Sequence, residues 1–340
     1  MSDARVLLDY GSGGKAAQRF IAELFARCFS NPILDTMDDA ALLEHISGPL
    51  AMSTDGYTVD PLEFPGGNIG TLAVHGTVND VSMLGAKPLF MTCAFILEEG
   101  LPMPVLERIV QSMGDAARHA GVQIVAGDTK VVPRGAADKM FITTTGLGEV
   151  IATPAPSGRR ARPGDAILVS GSMGDHGLTI LSRREELSLA SATASDSAAL
   201  NHMVAALVAE VGEIHVLRDP TRGGLATTLN EIAIQSGVVC HIIESDIVVH
   251  DGVAAGCSVL GLDPLYLANE GKLICILPDA LADKALAVMR RFPEGCEAVR
   301  IGKVEAPGLK TKSGQVVLLT PLGGHRLLGM LEGEQLPRIC

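Results

Sequence analysis

Residues 104–130, PVLERIVQSMGDAARHAGVQIVAGDTK, show the pattern that decides the fold class. Apolar residues recur at helical spacing from Pro104 to Ala120, and a short apolar run, Val122 to Ala126, follows at once and indicates a strand. That run leads into Gly127-Asp128-Thr129-Lys130. The same alternation of helix and strand recurs along the chain. It predicts a mixed α+β or α/β fold whose sheets carry helices on one face.

The alternation is interrupted once, by a stretch rich in Pro, Gly and Arg from Thr153 to Gly164. Such a stretch is typical of a link between domains, and 340 residues are enough for two domains of ordinary size. We therefore predict an N-terminal domain over residues 1–153 and a second α/β domain over residues 154–324.

The final segment, residues 325–340, carries Gly329, Gly333 and Pro337 among polar residues and ends in Cys340. It has few apolar side chains to bury, which predicts a mobile tail. Fully extended, such a tail spans on the order of 50 Å. It could therefore bring Cys340 to a distant site.

Composition and charge exclude several classes of function. The net charge of −12 and the aromatic content of 3% argue against nucleic-acid and anionic-membrane partners. The seven cysteines contain no C-x-x-C pair, so neither a disulfide framework nor a zinc site is predicted. Without a signal peptide or a membrane-length apolar run, we expect a soluble, cytoplasmic protein.

Acidic motifs recur through the first half, and they could form a metal site. Asp55 and Asp128 each follow a predicted strand, so they could converge at one edge of a sheet, and several oxygen ligands together suit Mg²⁺. Taken singly, each Asp is more simply a turn former or a helix cap. Asp80, on a predicted helix near its apolar face, fits that simpler interpretation least. The motifs are Asp38-Asp39-Ala40-Ala41, Ser53-Thr54-Asp55-Gly56, Asn79-Asp80 and Gly127-Asp128-Thr129.

Two glycine-containing stretches could bind phosphate. Gly11-Ser12-Gly13-Gly14-Lys15 precedes the first predicted helix, but it lacks the spacing of a Walker A loop, and a flexible entry turn into the helix explains it better. Residues 218–225, RDPTRGGL, place Asp219 and a glycine pair before another helical run. They predict either an anion-binding helix start or an ordinary turn and N-cap.

Together these motifs resemble the superfamily of aminoimidazole ribonucleotide synthetase, thiamine monophosphate kinase and selenophosphate synthetase. The four acidic motifs, with Leu84-Gly85-Ala86, are similar to its ATP-site motifs, and the resemblance covers essentially the whole chain. Within the superfamily, Pro337-Arg338-Ile339-Cys340 resembles the terminus of the [NiFe]-hydrogenase maturation branch. Asn269-Glu270-Gly271-Lys272 and residues 127–132 also resemble that branch.

The resemblance implies an ATP-dependent carbamoyl dehydratase that acts as a homodimer with the two-domain superfamily fold. A carbamoyltransferase partner, HypF, would place a carboxamide on the sulfur of Cys340. The chain would then dehydrate this group to a thiocyanate with ATP and Mg²⁺. The cyano group would pass to an iron held by a HypC–HypD complex.

The resemblance also implies roles for individual residues. Cys340 would carry the substrate. Our own hypothesis, based on two charged residues beside apolar strands in stretches typical of the family, is that Glu270 accepts the amide proton and that Lys130 orients it or the leaving phosphate. The implied metal ligands are Asp39, Asp55, Asp80 and Asp128. The implied nucleotide-binding residues are these four with Lys15, Thr54, Asn79 and Asp219.

Two other interpretations remain open. The chain could be another enzyme of the superfamily that acts on a free small molecule. Selenophosphate synthetase is disfavoured, because no Cys lies between Gly11 and Lys15. Alternatively, Cys340 could ferry a carbamoyl or cyano group without catalysis, with ATP only gating the tail. ATP turnover that depends on carbamoylated Cys340 separates the enzyme from the carrier.

Overall fold

Two large β-sheets, one in each half, organise the chain. The computed structural model describes residues 5–11, 15–37, 40–43, 46–184, 193–309, 311–331 and 338–340. Within these ranges the strands are β1 (Leu50–Tyr57), β2 (Glu63–Phe64), β3 (Gly67–Asn68), β4 (Ala86–Glu98), β5 (Gln123–Val132), β6 (Met140–Val150), β7 (Asp165–Val169), β8 (Val216–Arg218), β9 (Val239–Ile243), β10 (Ile274–Pro278), β11 (Val299–Glu305), β12 (Gln315–Leu319) and β13 (His325–Leu328).

Helices of the described ranges pack on both sheets. They are α1 (Lys15–Phe20), α2 (Arg27–Phe29), α3 (Ile69–Met83), α4 (Met103–Ala120), α5 (Asp175–Arg184), α6 (Asn201–Glu210), α7 (Gly224–Ser236), α8 (Asp251–Leu260) and α9 (Ala282–Met289), and a π-helical stretch, Ile21–Ala26, joins α1 to α2. None of these helices has both the length and the apolar character needed to cross a bilayer.

The first sheet has the order β1-β6-β4-β5, and α3 and α4 pack against it. The α4 helix forms because its apolar residues follow helical spacing, and it buries Leu106, Ile109 and Met113. The opposite face of the sheet carries exposed apolar side chains, with Met52 70% and Ile96 42% exposed. One face of this sheet is therefore covered and the other is open.

The second sheet has the order β13-β12-β9-β11-β7-β10-β8 and is mostly antiparallel. All five residues of β7 are buried. Ile167 and Val169 pack into the cluster that contains α7, while Ala166 and Leu168 pack into the cluster that contains α6 and α9. The predicted mixed fold is confirmed, but this sheet is covered on both faces, as a continuous apolar strand requires.

Two strands continue past the aspartates at which the sequence pattern ends them. Asp55 lies inside β1, and Asp128 lies inside β5. The strands continue because the residues that follow still pair in the sheet, such as Lys130 with Ile96 of β4. The expectation that both carboxylates stand at strand ends is therefore wrong.

The predicted mobile tail, residues 325–340, contains ordered structure at both described ends. Residues 325–328 form β13, an edge strand on β12, because Leu328 is buried in the core and its carbonyl accepts a hydrogen bond from Asn230. The predicted tail is thus wrong over these four residues. Residues 338–340 pack against the first domain. Pro337 lies outside the described residues, and the division between residues 153 and 154 stays a prediction.

The two halves are joined by a buried amide at the end of α3. Asn79 is 1% exposed, and its Nδ2 donates to Ala198 O at 3.0 Å while its Oδ1 accepts from Leu200 N at 2.8 Å. A buried polar group that satisfies two backbone groups stabilises the contact it makes. Asn79 therefore holds α3 against the second half, and its implied part in nucleotide binding stays a prediction.

Replacing Asn79 with Ala should lower the free energy of unfolding by about 1–3 kcal/mol, because two buried backbone groups lose their partners. Denaturant unfolding followed by circular dichroism measures this loss. Lys284→Ala, an exposed change on α9, serves as the control and should change stability by less than about 0.5 kcal/mol. Equal stability of the two variants would contradict the role of Asn79.

Candidate active site

Four carboxyl groups from different elements lie close enough to act on one another, and two of them, Glu270 and Asp55, also act on Cys340. Asp55 comes from β1, Asp80 from α3, Asp219 from the turn after β8, and Glu270 from the loop before β10. Their charges act on one another: Asp80 and Asp55 both raise the pKa of Asp219 and of Glu270, although burial is the larger cause in each case. Both halves of the chain therefore contribute to one acidic site.

Glu270 is the most deeply buried member of this acidic site. Its side chain is 4% exposed, and Oε1 has no hydrogen-bond partner among the described residues. Asp196 accepts from the backbone N–H groups of Glu270 and Gly271 at 3.1 and 3.3 Å, which fixes the loop. Burial, followed by the charge of Asp219, raises the pKa of Glu270 well above its usual range. The environment therefore favours the protonated form of this carboxyl group more than water does.

The other carboxyl groups are also perturbed. Burial raises the pKa of Asp219 to about 7, and the charge of Asp80 adds to the rise. Burial likewise raises the pKa of Asp80, although Ser53 Oγ donates to its Oδ2 at 2.7 Å. Packing several acidic groups together without a counter-ion is unfavourable, so the arrangement favours binding of a cation.

Cys340 lies beside this acidic site. The side chain of Ile339, one residue earlier, is 4% exposed in the core of the first domain, and Thr58 N donates to Cys340 O at 2.9 Å. Burial, followed by the charge of Glu270, raises the pKa of the Cys340 thiol to about 12. The docked thiol is therefore neutral, and it is a poor nucleophile.

Asp128 and Lys130 lie apart from Cys340 within the chain. One row of paired residues crosses the four strands of the first sheet: Asp55, Thr144, Cys93 and Gly127. Asp128 follows Gly127 on the last of these strands, so it lies three strand spacings from Asp55, about 14 Å. Cys93 faces the helices, whereas Asp128 pairs with Ala94 and lies on the open face. The expectation that Asp55 and Asp128 converge at one edge is wrong for a single chain.

Lys130 pairs with Asp128 on this open face, with Nζ 2.9 Å from Oδ2. The pair is exposed, and Lys130 lowers the pKa of Asp128. Thr54 also lies on the open face, where its Oγ1 accepts from Thr145 Oγ1 at 2.8 Å. Within the described part of the chain, the implied role of Lys130 at the tail stays a prediction.

A cavity of about 200 Å³ lies between β5 and the N-terminal helical segment. Its walls include Phe25, Phe29, Phe95 and the segment Gly127-Asp128-Thr129. Lys15 is exposed at the start of α1 in the same segment of the chain. Asp39 and residues 12–14 lie outside the described residues, so their implied roles stay predictions.

Several residues at the site have no signal in the sequence. Thr58, His176 and Arg184 each bind a main-chain oxygen of residues 338–340. Asp196 positions the loop of Glu270 through two backbone N–H groups. Contacts to backbone atoms impose no local motif, so only the folded chain reveals them. Arg222 also acts on Cys340. It lies in residues 218–225, whose pattern predicts a turn before a helix but no specific role for this side chain.

Comparison with known proteins decides the family. Residues 37–150 match the AIR synthase related protein, N-terminal domain, and residues 162–319 match the corresponding C-terminal domain. Carbamoyl dehydratase HypE of Azotobacter vinelandii is 53% identical over 340 residues, which cover 100% of this chain and 98% of the relative. The chain belongs to the carbamoyl dehydratase HypE family.

Solved structures of HypE proteins share the whole fold. A hydrogenase maturation protein HypE in complex with ATP has a TM-score of 0.96 and 69% sequence identity, and the match covers 98% of this chain and 99% of that chain. The structure of a HypE–HypF complex matches with a TM-score of 0.79 and 46% identity, covering 92% of this chain and 99% of that chain. The family, fold class and enzyme class implied by the sequence motifs are thereby confirmed.

Replacing Asp219 with Asn should stabilise the protein above pH 7. A carboxyl group whose pKa is raised in the folded state holds its proton longer than in the unfolded state, so its favourable contribution is lost as pH rises from about 4 to about 7. The variant avoids this loss, and we expect Tm to rise by about 2–4 °C at pH 8 with little change at pH 4. Thermal unfolding across pH measures the effect.

Asp283→Asn, an exposed change on α9, is the control and should leave the pH dependence of Tm unchanged. A lower Tm for Asp219→Asn at pH 8 would show that Asp219 is ionised and favourably paired in the folded protein, contrary to this expectation.

Proposed function

We propose that this chain uses ATP to dehydrate an S-carboxamide on Cys340 to a thiocyanate, which supplies the cyanide ligand of a [NiFe]-hydrogenase. The observation that carries the proposal is that the charge of Glu270 acts on Cys340, while the buried Oε1 of Glu270 has no hydrogen-bond partner among the described residues. The relatives named carbamoyl dehydratase HypE and the HypE structure with ATP support it.

The reaction balances with ATP as the acceptor of the oxygen. The carboxamide oxygen attacks the γ-phosphorus, the bond to ADP breaks and one N–H proton leaves, which gives an iminophosphate whose carbon remains bound to the sulfur. Transfer of the second N–H proton and loss of the phosphate, which leaves as hydrogen phosphate, then give the carbon–nitrogen triple bond. The products are ADP, phosphate, a proton and Cys340 thiocyanate, so the elements of water leave in the phosphate and the proton.

Glu270 is the base that this sequence of steps requires. General bases work best when their pKa lies near the working pH, and burial with negative neighbours raises the pKa of Glu270 in that direction. The Oε1 atom has no partner among the described residues, so it is available for an amide N–H of the substrate. Seating the carboxamide beside Glu270 also makes the reaction intramolecular, which favours it strongly.

The carbamoyl group must be loaded while the tail is elsewhere. A thiol with a pKa of about 12 offers almost no thiolate at neutral pH, so the docked Cys340 is a poor acceptor. Undocking restores an ordinary thiol. This supports HypF as the loading partner, as the structure of a HypE–HypF complex indicates for a relative. Transfer of the cyano group to a HypC–HypD complex stays a prediction.

Mg²⁺ fits the acidic site only together with the nucleotide. No cluster of three His, Cys, Asp or Glu ligands that could hold a metal by itself occurs in the described ranges. Burial, followed by the charge of Asp55, raises the pKa of Asp80, and a cation between these two carboxylates would relieve that repulsion. Mg²⁺ usually takes one or two carboxylates and completes its shell with phosphates and water. These two residues would hold it, and the ion would neutralise charge on the transferred phosphoryl group.

We also propose that the chain is a homodimer joined through the open face of the first sheet. Exposed Met52 and Ile96 lie on that face, as do Thr54, Asp128 and Lys130. Association of two chains through this face would cover the apolar side chains and place Asp128 and Lys130 at the interface. That position is consistent with an ATP site near the interface and with a role for Lys130 in the reaction. The expected cytoplasmic location stays a prediction.

A carrier without catalysis is the second candidate. It is supported by the docked, protected thiol of Cys340 alone. A carrier gives no reason for the buried Glu270 Oε1 that has no partner in the described part of the chain, because an unsatisfied buried polar atom costs stability. The enzyme assignment accounts for both residues.

Replacing Glu270 with Gln should slow conversion of carbamoylated Cys340 about 10²- to 10⁴-fold, which is the usual effect of removing a general base. The mass of the C-terminal peptide, followed after ATP is added, measures the loss of one water. Glu107→Gln, an exposed change on α4, is the matched control. Normal water loss in the Glu270 variant would exclude this role, and absence of water loss in the unaltered chain would exclude the dehydratase.

Replacing Met52 with Asp should weaken the dimer at least about tenfold, because it buries a charge in an apolar interface. Light scattering across a dilution series measures the association. Val259→Asp places the same charge on the exposed face of α8, where Val259 is 76% exposed, and should leave the dimer intact. A monomeric unaltered chain, or equal association of both variants, would contradict the proposed interface.

A further inference from the structure

The side chain of Arg338 is held by three specific contacts. Its Nη1 is 2.5 Å from Asp138 Oδ2, and its guanidinium lies 5.8 Å from the centre of the Phe141 ring. Its Nε also donates to Thr58 O at 2.8 Å. An ion pair, a ring face and a carbonyl around one planar guanidinium suit Arg better than Lys.

Ile339 is recognised by both its side chain and its backbone. The side chain enters the hydrophobic core of the first domain, and the carbonyl accepts from His176 Nε2 at 2.8 Å. Burial lowers the pKa of His176, so the ring is neutral. Because a carbonyl can only accept, Nε2 carries the proton, and Nδ1 accepts from Ser195 Oγ at 2.7 Å. The hydrogen bond with Ser195 thus holds the ring in the orientation that binds Ile339 O.

Residues outside the tail also bind its main chain. Arg184 Nη2 donates to Arg338 O at 2.8 Å, and Thr58 N and Oγ1 donate to Cys340 O at 2.9 and 3.2 Å. Arg184 itself is anchored on Asp60 O at 3.0 Å. With His176 on Ile339 O, each of the three residues has a main-chain oxygen bound from outside the tail.

These contacts define a tripeptide groove formed by Thr58, Asp138, Phe141, His176 and Arg184. Its specificity resides in contacts to three residues, and their covalent attachment to the same chain adds an effective concentration on the order of millimolar. We propose that the tripeptide groove is a peptide-recognition site for Arg-Ile-Cys that also binds this sequence in trans, from a free peptide or another chain. The proposal rests on the proposed function for the fate of the cysteine, but not for binding.

Binding in trans can be measured with the full-length Ile339→Asp variant. Its own tail should leave the tripeptide groove, because the apolar pocket cannot accept a carboxylate. Calorimetry with the synthetic peptide EQLPRIC, the sequence of residues 334–340, should then show saturable binding with a Kd on the order of 1 mM or tighter. Arg338→Glu, which expels the tail by repulsion from Asp138, is the second host. Lack of binding to both hosts overturns the proposal.

A double-mutant cycle tests whether the tripeptide groove recognises the Arg side chain through Asp138. Asp138→Asn in the host should weaken binding about tenfold, and so should Ala in place of Arg in the peptide. The two changes together should weaken binding no more than either change alone. Losses that multiply would show that the two groups act independently, which overturns the recognition of Arg by Asp138. Glu99→Gln, a change on the same domain outside the tripeptide groove, should leave the affinity unchanged.

Conversion of a carbamoylated peptide by the enzyme tests peptide recognition and the dehydratase reaction separately. The same peptide with an S-carboxamide on its cysteine should lose one water when the Ile339→Asp host and ATP are added, and Asp138→Asn should raise KM about tenfold without changing kcat. Peptide binding without water loss, in a chain that also fails to convert its own tail, would refute the dehydratase and leave the recognition site standing. Water loss in the tail but never in the bound peptide would show that the peptide does not place its cysteine where the tail does. That result would overturn binding in trans at the tripeptide groove.

Discussion

The buried carboxyl group of Glu270 is the constraint on which the rest of the site depends. Its Oε1 has no partner among the described residues, and its neighbours are other acids. A fold tolerates this only if surrounding contacts fix the group in place. Asp196 holds its loop from one side, and Asn79 Nδ2 reaches its carbonyl at 3.4 Å from the other half of the chain.

The same constraint explains the arrangement of the tail. The tripeptide groove binds residues 338–340 through their backbone and through Arg338, which leaves the sulfur of Cys340 directed towards the acidic site. The docked thiol is a poor nucleophile because its pKa is raised. Under the proposed function, loading and dehydration are therefore separated in space, and one site both protects the thiol and activates the group that it carries.

Much of the fold follows from the sequence, because helices such as α4 and buried strands such as β7 have clear periodicity. The short edge strand β13 does not, since its pairing depends on β12. Glu270 and Cys340 could be found from motifs. The face on which Asp128 lies could not, because it depends on strand register past a bulge between Met91 and Thr92. Thr58 and His176 bind backbone oxygens and leave no pattern.

The transfer of the carboxamide oxygen tests the central claim most directly. Cys340 loaded with an ¹⁸O-labelled carboxamide and treated with ATP should release phosphate that contains one ¹⁸O atom, together with an unlabelled thiocyanate. Mass spectrometry of the phosphate and of the C-terminal peptide measures both. Label that appears in water, or that stays on the peptide while ATP is hydrolysed, would contradict activation of the amide oxygen by phosphorylation at this site.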